Sequence, residues 1–226
     1  MPPLLEVACF NAQSAIKAAS SGADRIELCT SYSLGGTTPL LSTFMSVRDT
    51  LQSINNKSLS SPLETQLPIH VMIRPRGDVE KFYHAGASGF VFGLLTTTHR
   101  VDILRCRKLI ANAGGRPCVF HRAFDVIANT EMEGQLQILT ECGFAALLTS
   151  GNAKGALEGR DTLCKLISAS RGKIEIIFGG GLRSANVEML LHTGAEWFHT
   201  SAITNDSSDV ANVEEIRLIK AILRNH

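Results

Sequence analysis

The sequence predicts an α/β fold, a (β/α)8 TIM-like barrel in which eight parallel strands alternate with eight helices. Eight short apolar segments alternate with amphipathic segments along the 226 residues, a pattern typical of repeated β/α units. Several of these units are joined by a glycine placed where a helix ends and the next strand begins. The alternation also shows no point of reversal, which favours a closed barrel over the alternative, a doubly wound open sheet.

The elements follow one another closely enough for the whole chain, 1–226, to form one domain, since barrels commonly reach this length. Glycines that can end a helix stand at Gly22, Gly86, Gly143 and Gly194. Strands are expected at 4–9, 24–29, 68–74, 88–93, 117–122, 145–149, 173–178 and 195–200. Helices are expected at 11–21, 40–54, 79–85, 101–113, 131–142, 155–170, 184–193 and 211–223.

Two segments interrupt this regular pattern. Residues 55–67 are polar, rich in serine and contain Pro62, which predicts a surface loop. Residues 78–86 are few for the connection between the third and fourth strands, because a parallel crossover needs about a dozen residues or more. We therefore expect a shortened third β/α unit.

Charge and composition exclude several classes of partner and location. The net charge is +1, from 22 basic and 21 acidic side chains that are interspersed, so neither nucleic acid nor a membrane surface is an expected partner. We expect no signal peptide and no membrane span, since no apolar run approaches ~18 residues. The six cysteines are scattered without a C-x-x-C pair, which indicates reduced thiols and a cytoplasmic location.

Chemically active side chains stand at the end of nearly every predicted strand. In a barrel of this type the carboxyl ends of all strands meet at one mouth, so these residues predict a ligand site. They are Glu6, Glu27, Arg74, Arg76, His121, Asp125, Ser150, Gly179, Gly180, Gly181, His199 and Ser201.

The acidic and imidazole groups are the candidates for acid/base catalysis. Glu6 and Glu27 lie on adjacent strands and point into the barrel, where a buried carboxylate needs a cation; we expect one or both to pair with Arg74. A purely structural ion pair is the alternative. His121 is a candidate proton carrier, with Asp125 orienting it or binding water, unless a carbonyl simply satisfies it.

The arginines and glycines predict an anion site. Residues 70–77 read HVMIRPRG; alternation places His70, Met72 and Arg74 on one face, and Arg74 and Arg76 follow the strand. The run Gly179–Gly181 precedes a predicted helix, and glycine amides near a helix start bind anions, with His199 and Ser201 adding donors from the eighth strand. A tight turn is the alternative explanation. An enzyme acting on a small anionic or phosphorylated substrate would fit this mouth.

Two cysteines near the mouth suggest a different chemistry. Cys29 follows Glu27 by two residues and shares its inward face, while Cys9 lies on the neighbouring strand but out of phase with Glu6. Thiolates from adjacent strands bind soft Cu(I) with few ligands. Inert burial as small hydrophobic residues is the alternative.

With these residues identified, the chain resembles the CutC copper-homeostasis family. The resemblance implies a TIM-like barrel, a cytoplasmic or nuclear location, copper handling with Cu(I) binding in some members, and self-association as a dimer or tetramer. It implies no organic cofactor and no established reaction. The matching segments are Leu5-Glu6-Val7, GADRIELC (22–29), GGTTP (35–39), HVMIRPRG (70–77), VFGLLT (91–96), FHRAFD (120–125), LLTSG (147–151), ALEG (156–159), GGGLRSAN (179–186) and FHTSA (198–202).

The chain departs from the family pattern at three places, one of which is Ile203, where an arginine often follows the Ser-Ala of strand eight; its absence weakens the expected anion site. Many members have a cysteine where this chain has Ala8, so half of an inward-facing thiol pair is missing and Cys9 is the substitute. The family also continues with a longer segment after Gly77. Three hypotheses follow: a copper-homeostasis protein using Cys29 with Cys9, an enzyme for a small anion, and a scaffold whose ancestral site has degenerated.

Overall fold

Eight parallel strands form a closed barrel in sequence order, which confirms the predicted (β/α)8 fold. The computed structural model describes residues 2–57, 66–75, 77–205 and 207–226. Every neighbouring pair of strands is parallel, and β8 closes the barrel against β1. The strands are β1 (Leu4–Cys9), β2 (Arg25–Leu28), β3 (Ile69–Met72), β4 (Gly89–Phe92), β5 (Cys118–Phe120), β6 (Ala146–Thr149), β7 (Glu175–Gly179) and β8 (Trp197–Thr200).

The helices surround the barrel, and several begin at a side chain that accepts a hydrogen bond from the first turn. Asn11 accepts from the Ser14 amide at 2.8 Å, and Asp102 accepts from the Arg105 amide at 3.0 Å, which satisfies amides that have no partner within a helix. The helices are α1 (Ala12–Ser20), α2 (Leu41–Lys57), α3 (Val79–His84), α4 (Ile103–Asn112), α5 (Met132–Cys142), α6 (Arg160–Ser170), α7 (Ser184–Val187) and α8 (Val213–Arg224).

The loop and the shortened crossover of the sequence prediction have different outcomes. Residues 55–57 are the last residues of α2, so the loop prediction is wrong for them, while residues 58–65 lie outside the described part of the chain. Helix α3 has only six residues, as the short segment 78–86 predicts. The barrel closes across this short unit because β3 and β4 still pair directly.

Two helices are shorter than their amphipathic patterns predict. Helix α6 begins at Arg160 instead of residue 155, because the preceding turn folds back on the end of β6. A Cβ at Gly159 would lie 1.8 Å from the carbonyl oxygen of Ser150, so this turn requires glycine. Helix α7 ends at Val187 and continues as a 3-10 helix from Glu188 to Thr193.

Alternation along the strands separates the apolar residues into two layers. The outer layer lies between the barrel and its helices and contains buried phenylalanines such as Phe90, Phe178 and Phe198. The inner layer includes several small side chains, among them Ala8, Cys29, Val91 and Ala146, and a cavity opens at the mouth of the barrel. None of the described helices combines the length and the apolar character needed to cross a bilayer.

Candidate functional site

A cavity of about 620 Å³ opens at the carboxyl ends of the strands, within the range of roughly 300–1,000 Å³ typical of small-molecule sites. Its walls bring together side chains from opposite sides of the barrel. The predicted residues that line it are Glu27, Cys29, Arg74, His121, Gly180, Gly181, His199 and Ser201.

Other predicted residues have different positions. Within the described part of the chain, Glu6, Cys9, Asp125, Ser150 and Gly179 are not part of the cavity wall. Arg76 lies outside the described residues, so its ligand-binding role stays a prediction.

Glu6 is fully buried and forms an ion pair with Arg25, not with Arg74. The two residues are neighbours in the register of β1 and β2, so their side chains meet inside the barrel. Arg74 is exposed beyond the end of β3 and donates to the carbonyl oxygens of Gly35 and Gly36 at 3.1 and 3.3 Å. The predicted pairing of the glutamates with Arg74 is therefore wrong, because a closer guanidinium lies on the adjacent strand.

His199 connects the two glutamates. Its Nδ1 lies 2.7 Å from Glu6 Oε1 and 3.5 Å from Glu27 Oε2. These three residues are the carboxylate and imidazole groups that come close enough to hold a metal ion in the described part of the chain. Arg25 already supplies a cation to Glu6, so the charge of this cluster is balanced without a metal.

The two buried carboxyl groups have opposite pKa shifts. Burial favours the neutral form of both, but Arg25 and His199 outweigh it at Glu6 and lower its pKa well below the usual range. At Glu27 burial dominates, helped by the charge of Glu6, and raises the pKa to about 7. Burial opposes the charged imidazole of His199, but the hydrogen bond to Glu6 and the charge of Glu27 raise its pKa. Separated carboxyl pKa values of this kind are typical of acid/base sites.

His121 and Asp125 do not act on each other as a hydrogen-bonded pair. His121 Nδ1 accepts from the Ala123 amide at 3.2 Å, and burial lowers its pKa to about 4. Asp125 accepts from the Ser150 amide and hydroxyl at 3.0 and 2.9 Å and from Arg122 Nε at 2.8 Å. Asp125 therefore holds the end of β6, and His121 is a neutral group in the cavity wall.

The glycine turn after β7 is open to the cavity, but the helix start behind it is occupied. Gly180 and Gly181 have φ angles of 105° and 67°, which favour glycine. The Ser184 amide and hydroxyl donate to the carboxylate of Glu215 in α8 at 2.7 and 2.9 Å. A carboxylate at this helix start is thus supplied by the protein itself, while the glycine turn stays open to the cavity.

The side chains of Cys29, Met72 and Cys9 lie on different sides of the strand layer. Cys29 and Met72 belong to the inner layer and line the cavity. A Cβ at Gly36 would lie 3.7 Å from both Cys29 Sγ and Met72 Cε, so both side chains lie beside Gly36, and each directly follows one of the register partners Leu28 and Val71 of β2 and β3. Cys9 belongs to the outer layer, where its Sγ lies 3.4 Å from the carbonyl oxygen of Val7.

The thiols of Cys9 and Cys29 are neutral at ordinary pH. Burial raises the pKa of each well above its usual value, and the charge of Glu27 adds to this shift. A thiol in such surroundings is unreactive unless a metal ion displaces its proton.

Comparison with known proteins assigns the family. The CutC family model matches residues 3–204. This chain belongs to the CutC family. A relative from Caenorhabditis elegans named copper homeostasis protein cutC homolog is 33% identical over 251 residues, with 97% of this chain and 94% of the relative covered. A human relative of the same name is 36% identical over 221 residues, with 90% and 75% covered.

One solved structure agrees with the CutC assignment, and another shares the barrel fold. The structure of CutC from Streptococcus agalactiae has a TM-score of 0.78 at 25% identity and covers 88% of this chain and 98% of its own. Thiamine phosphate pyrophosphorylase from Pyrococcus furiosus has a TM-score of 0.66 at 14% identity, with 98% of this chain and 96% of its own covered. The second likeness shows the barrel fold alone.

Four residues of this CutC site carry no role in the sequence prediction: Arg25, Met72, Arg122 and Arg183. Arg25 alternates with Glu27 and Cys29 along β2, so the period of two places it on the inner face. The other three line the cavity and stand within the runs HVMIRPRG, FHRAFD and GGGLRSAN that carry the family resemblance. Their positions are visible in the sequence, but their partners depend on strand register.

Proposed function

We propose that this chain acts in copper homeostasis and that its barrel cavity binds Cu(I) through the sulfur atoms of Cys29 and Met72. Two of its relatives at 33% and 36% identity are named for copper homeostasis. The observation that carries the proposed site is that a thiol and a thioether side chain, on adjacent strands, both lie in the cavity wall beside Gly36. Soft sulfur ligands select Cu(I) over harder cations.

Met72 takes the place of the second thiol in this proposal. Cys9, the partner expected from the sequence, faces the outer layer, and Ala8 lines the cavity on the same strand without a ligand atom. Because the pKa of Cys29 is raised, binding of the ion releases the thiol proton, and the affinity for Cu(I) increases with pH.

The test is a titration of reduced protein with Cu(I) against a competing chelator. We expect Cys29→Ser to weaken binding by about 100-fold and Met72→Leu by about tenfold, in line with the loss of ligands and their supports at metal sites. Cys164→Ser is the matched control, because Cys164 is the cysteine that is not buried, and Cys9→Ser tests the outer thiol. Unchanged affinity in Cys29→Ser would remove this site, and a loss in Cys164→Ser would place the copper on the outer surface.

The proposal extends to location and assembly. We propose a cytoplasmic and nuclear protein that self-associates as a dimer or tetramer. All six cysteines are free thiols, which supports a reducing compartment. Sedimentation of the purified chain tests the assembly, and a monomer at all concentrations would contradict it.

The second candidate function is an enzyme acting on a small anionic or phosphorylated substrate. One observation favours it: Glu27 lines the cavity and has a pKa of about 7, the range that suits a general acid or base at neutral pH. Of the four candidates Glu6, Glu27, His121 and Asp125, Glu27 is the carboxylate that faces the cavity. A flat response to a panel of phosphorylated metabolites would remove this candidate.

A further inference from the structure

The cavity wall carries more positive than negative charge. Three arginines, Arg74, Arg122 and Arg183, line it together with one carboxylate, Glu27. Arg122 is paired with Asp125 at 2.8 Å. Across the described ranges of the chain, Arg74 and Arg183 form no ion pair with any carboxylate.

These two guanidinium groups are nevertheless held in place. Arg74 Nη1 donates to the carbonyl oxygens of Gly35 and Gly36. Arg183 donates from Nη1 to the Leu182 carbonyl and from Nη2 to the Ile203 carbonyl, both at 2.7 Å. A guanidinium has five N–H donors, so each keeps donors for a further acceptor. Two positioned cations without a counter-charge in one cavity wall attract an anionic group into the cavity.

Glu27 offers the complementary feature on the same wall. Its side chain is 3% exposed, and it forms no hydrogen bond with the part of the chain that the structure describes; His199 Nδ1 lies 3.5 Å from its Oε2. A buried carboxyl group in a protein normally has hydrogen-bond partners. The carboxyl oxygens of Glu27 are therefore available to accept a hydrogen bond from a ligand in the cavity.

We propose that the cavity binds a small hydroxylated anion, with its anionic group at Arg74 and Arg183 and a hydroxyl group donating to Glu27. A sugar phosphate and a polyhydroxy carboxylate both have this chemistry, and a cavity of about 620 Å³ accommodates either. The inference deepens the second candidate function by naming its ligand class. It does not depend on copper, because it uses neither Cys29 nor Met72.

The first part of the test compares four ligands by calorimetry with copper-free wild-type protein in a buffer containing a copper chelator. D-ribose 5-phosphate and D-gluconate represent the two anionic groups, while inorganic phosphate and D-ribose each provide half of the required chemistry. We expect at least one hydroxylated anion to bind about tenfold or more tightly than both half-ligands. Tighter binding of D-ribose 5-phosphate would indicate a phosphate site, and tighter binding of D-gluconate would indicate a carboxylate site.

The second part uses variants with the preferred ligand. Arg74→Ala and Arg183→Ala are expected to weaken it by about tenfold, because hydrogen bonds to charged groups are the strong ones. Arg217→Ala is the control, since Arg217 is exposed on α8 away from the cavity. Glu27→Gln is expected to weaken the hydroxylated anion about fivefold and to leave the affinity for the matching simple anion, inorganic phosphate or acetate, unchanged.

Two results would overturn the inference. In the first, neither hydroxylated anion binds more tightly than phosphate or ribose alone. In the second, the preferred anion binds equally well to wild type and to Arg74→Ala. Arg74 is exposed, and a melting curve verifies that the Arg74→Ala variant is folded. Cys29→Ser is expected to bind the anion as wild type does. Loss of copper binding in that variant with anion binding retained separates the two proposals.

Discussion

Glu6 and Arg25 form a buried ion pair inside the barrel. Both side chains are removed from water, with 0% and 8% exposure, so their attraction has to offset a large desolvation cost. The guanidinium also lies 3.8 Å from the centre of the Trp197 ring, and His199 binds the second oxygen of Glu6. The pair therefore depends on groups from three strands.

Removal of one partner of this pair is expected to be costly. Arg25→Met keeps an unbranched side chain but removes the guanidinium, which leaves Glu6 buried without its cation and lowers the free energy of unfolding by about 3–5 kcal/mol. Urea unfolding measures this loss. In the double variant Glu6→Gln with Arg25→Met we expect a loss smaller than the sum of the two single losses. Additive losses would show that the pair does not interact.

At this scale the sequence predicts which side chains point inward, but not their partners. The period of two places Glu6, Glu27 and Cys29 on the inner face, and the structure agrees for Glu27 and Cys29 in the cavity wall. Arg25 has the same phase as Glu27. Its pairing with Glu6 depends on the register of β1 and β2, which residue spacing does not specify.

The junction of β3 and β4 shows how one element makes room for another. His70 and Gly89 are register partners, and the imidazole lies over the backbone of β4. A Cβ at Gly89 would lie 2.5 Å from His70 Nε2, closer than atoms approach in a packed interior. Glycine is therefore required here by the neighbouring side chain and not by its own backbone conformation.

Substitution of this glycine tests that contact. Gly89→Ala forces the buried ring of His70 to move and is expected to lower the free energy of unfolding by about 1–3 kcal/mol. Gly134→Ala is the matched control, because Gly134 lies on helix α5 and a Cβ there meets nothing within 4 Å. This substitution is expected to raise the free energy of unfolding by about 0.5–1 kcal/mol. Denaturant midpoints measure both changes. Equal effects at the two positions would contradict the packing described.

The helix after β6 shows why an amphipathic pattern can predict a helix that is longer than the one formed. The segment 155–170 has the pattern throughout, yet α6 begins at Arg160, since the turn before it packs on Ser150 through Gly159. The start of α6 is therefore set by a tertiary contact, which the periodic spacing of apolar residues does not reveal. The order of the strands and helices, by contrast, follows from local pattern alone.

In the molecule as a whole, the closed barrel can be predicted from the sequence, but its site depends on contacts between residues that are far apart along the chain. Eight β/α units without reversal predict the barrel, and the strand order confirms it. The cavity, however, depends on contacts between chain ends, such as His199 of β8 with Glu6 of β1. Their adjacency is a consequence of closure, so the chemistry of the mouth becomes visible only after the barrel is assembled.

The proposed function requires Cu(I) to bind inside the barrel at Cys29 and Met72. Crystals of reduced protein loaded with one equivalent of Cu(I), measured at the copper absorption edge, test it most directly. We expect one anomalous peak in the cavity, within bonding distance of the Cys29 and Met72 sulfur atoms, and no peak there in Cys29→Ser. A peak at Cys164 or at the Glu6, Glu27 and His199 cluster, with the cavity sulfurs unoccupied, would contradict it.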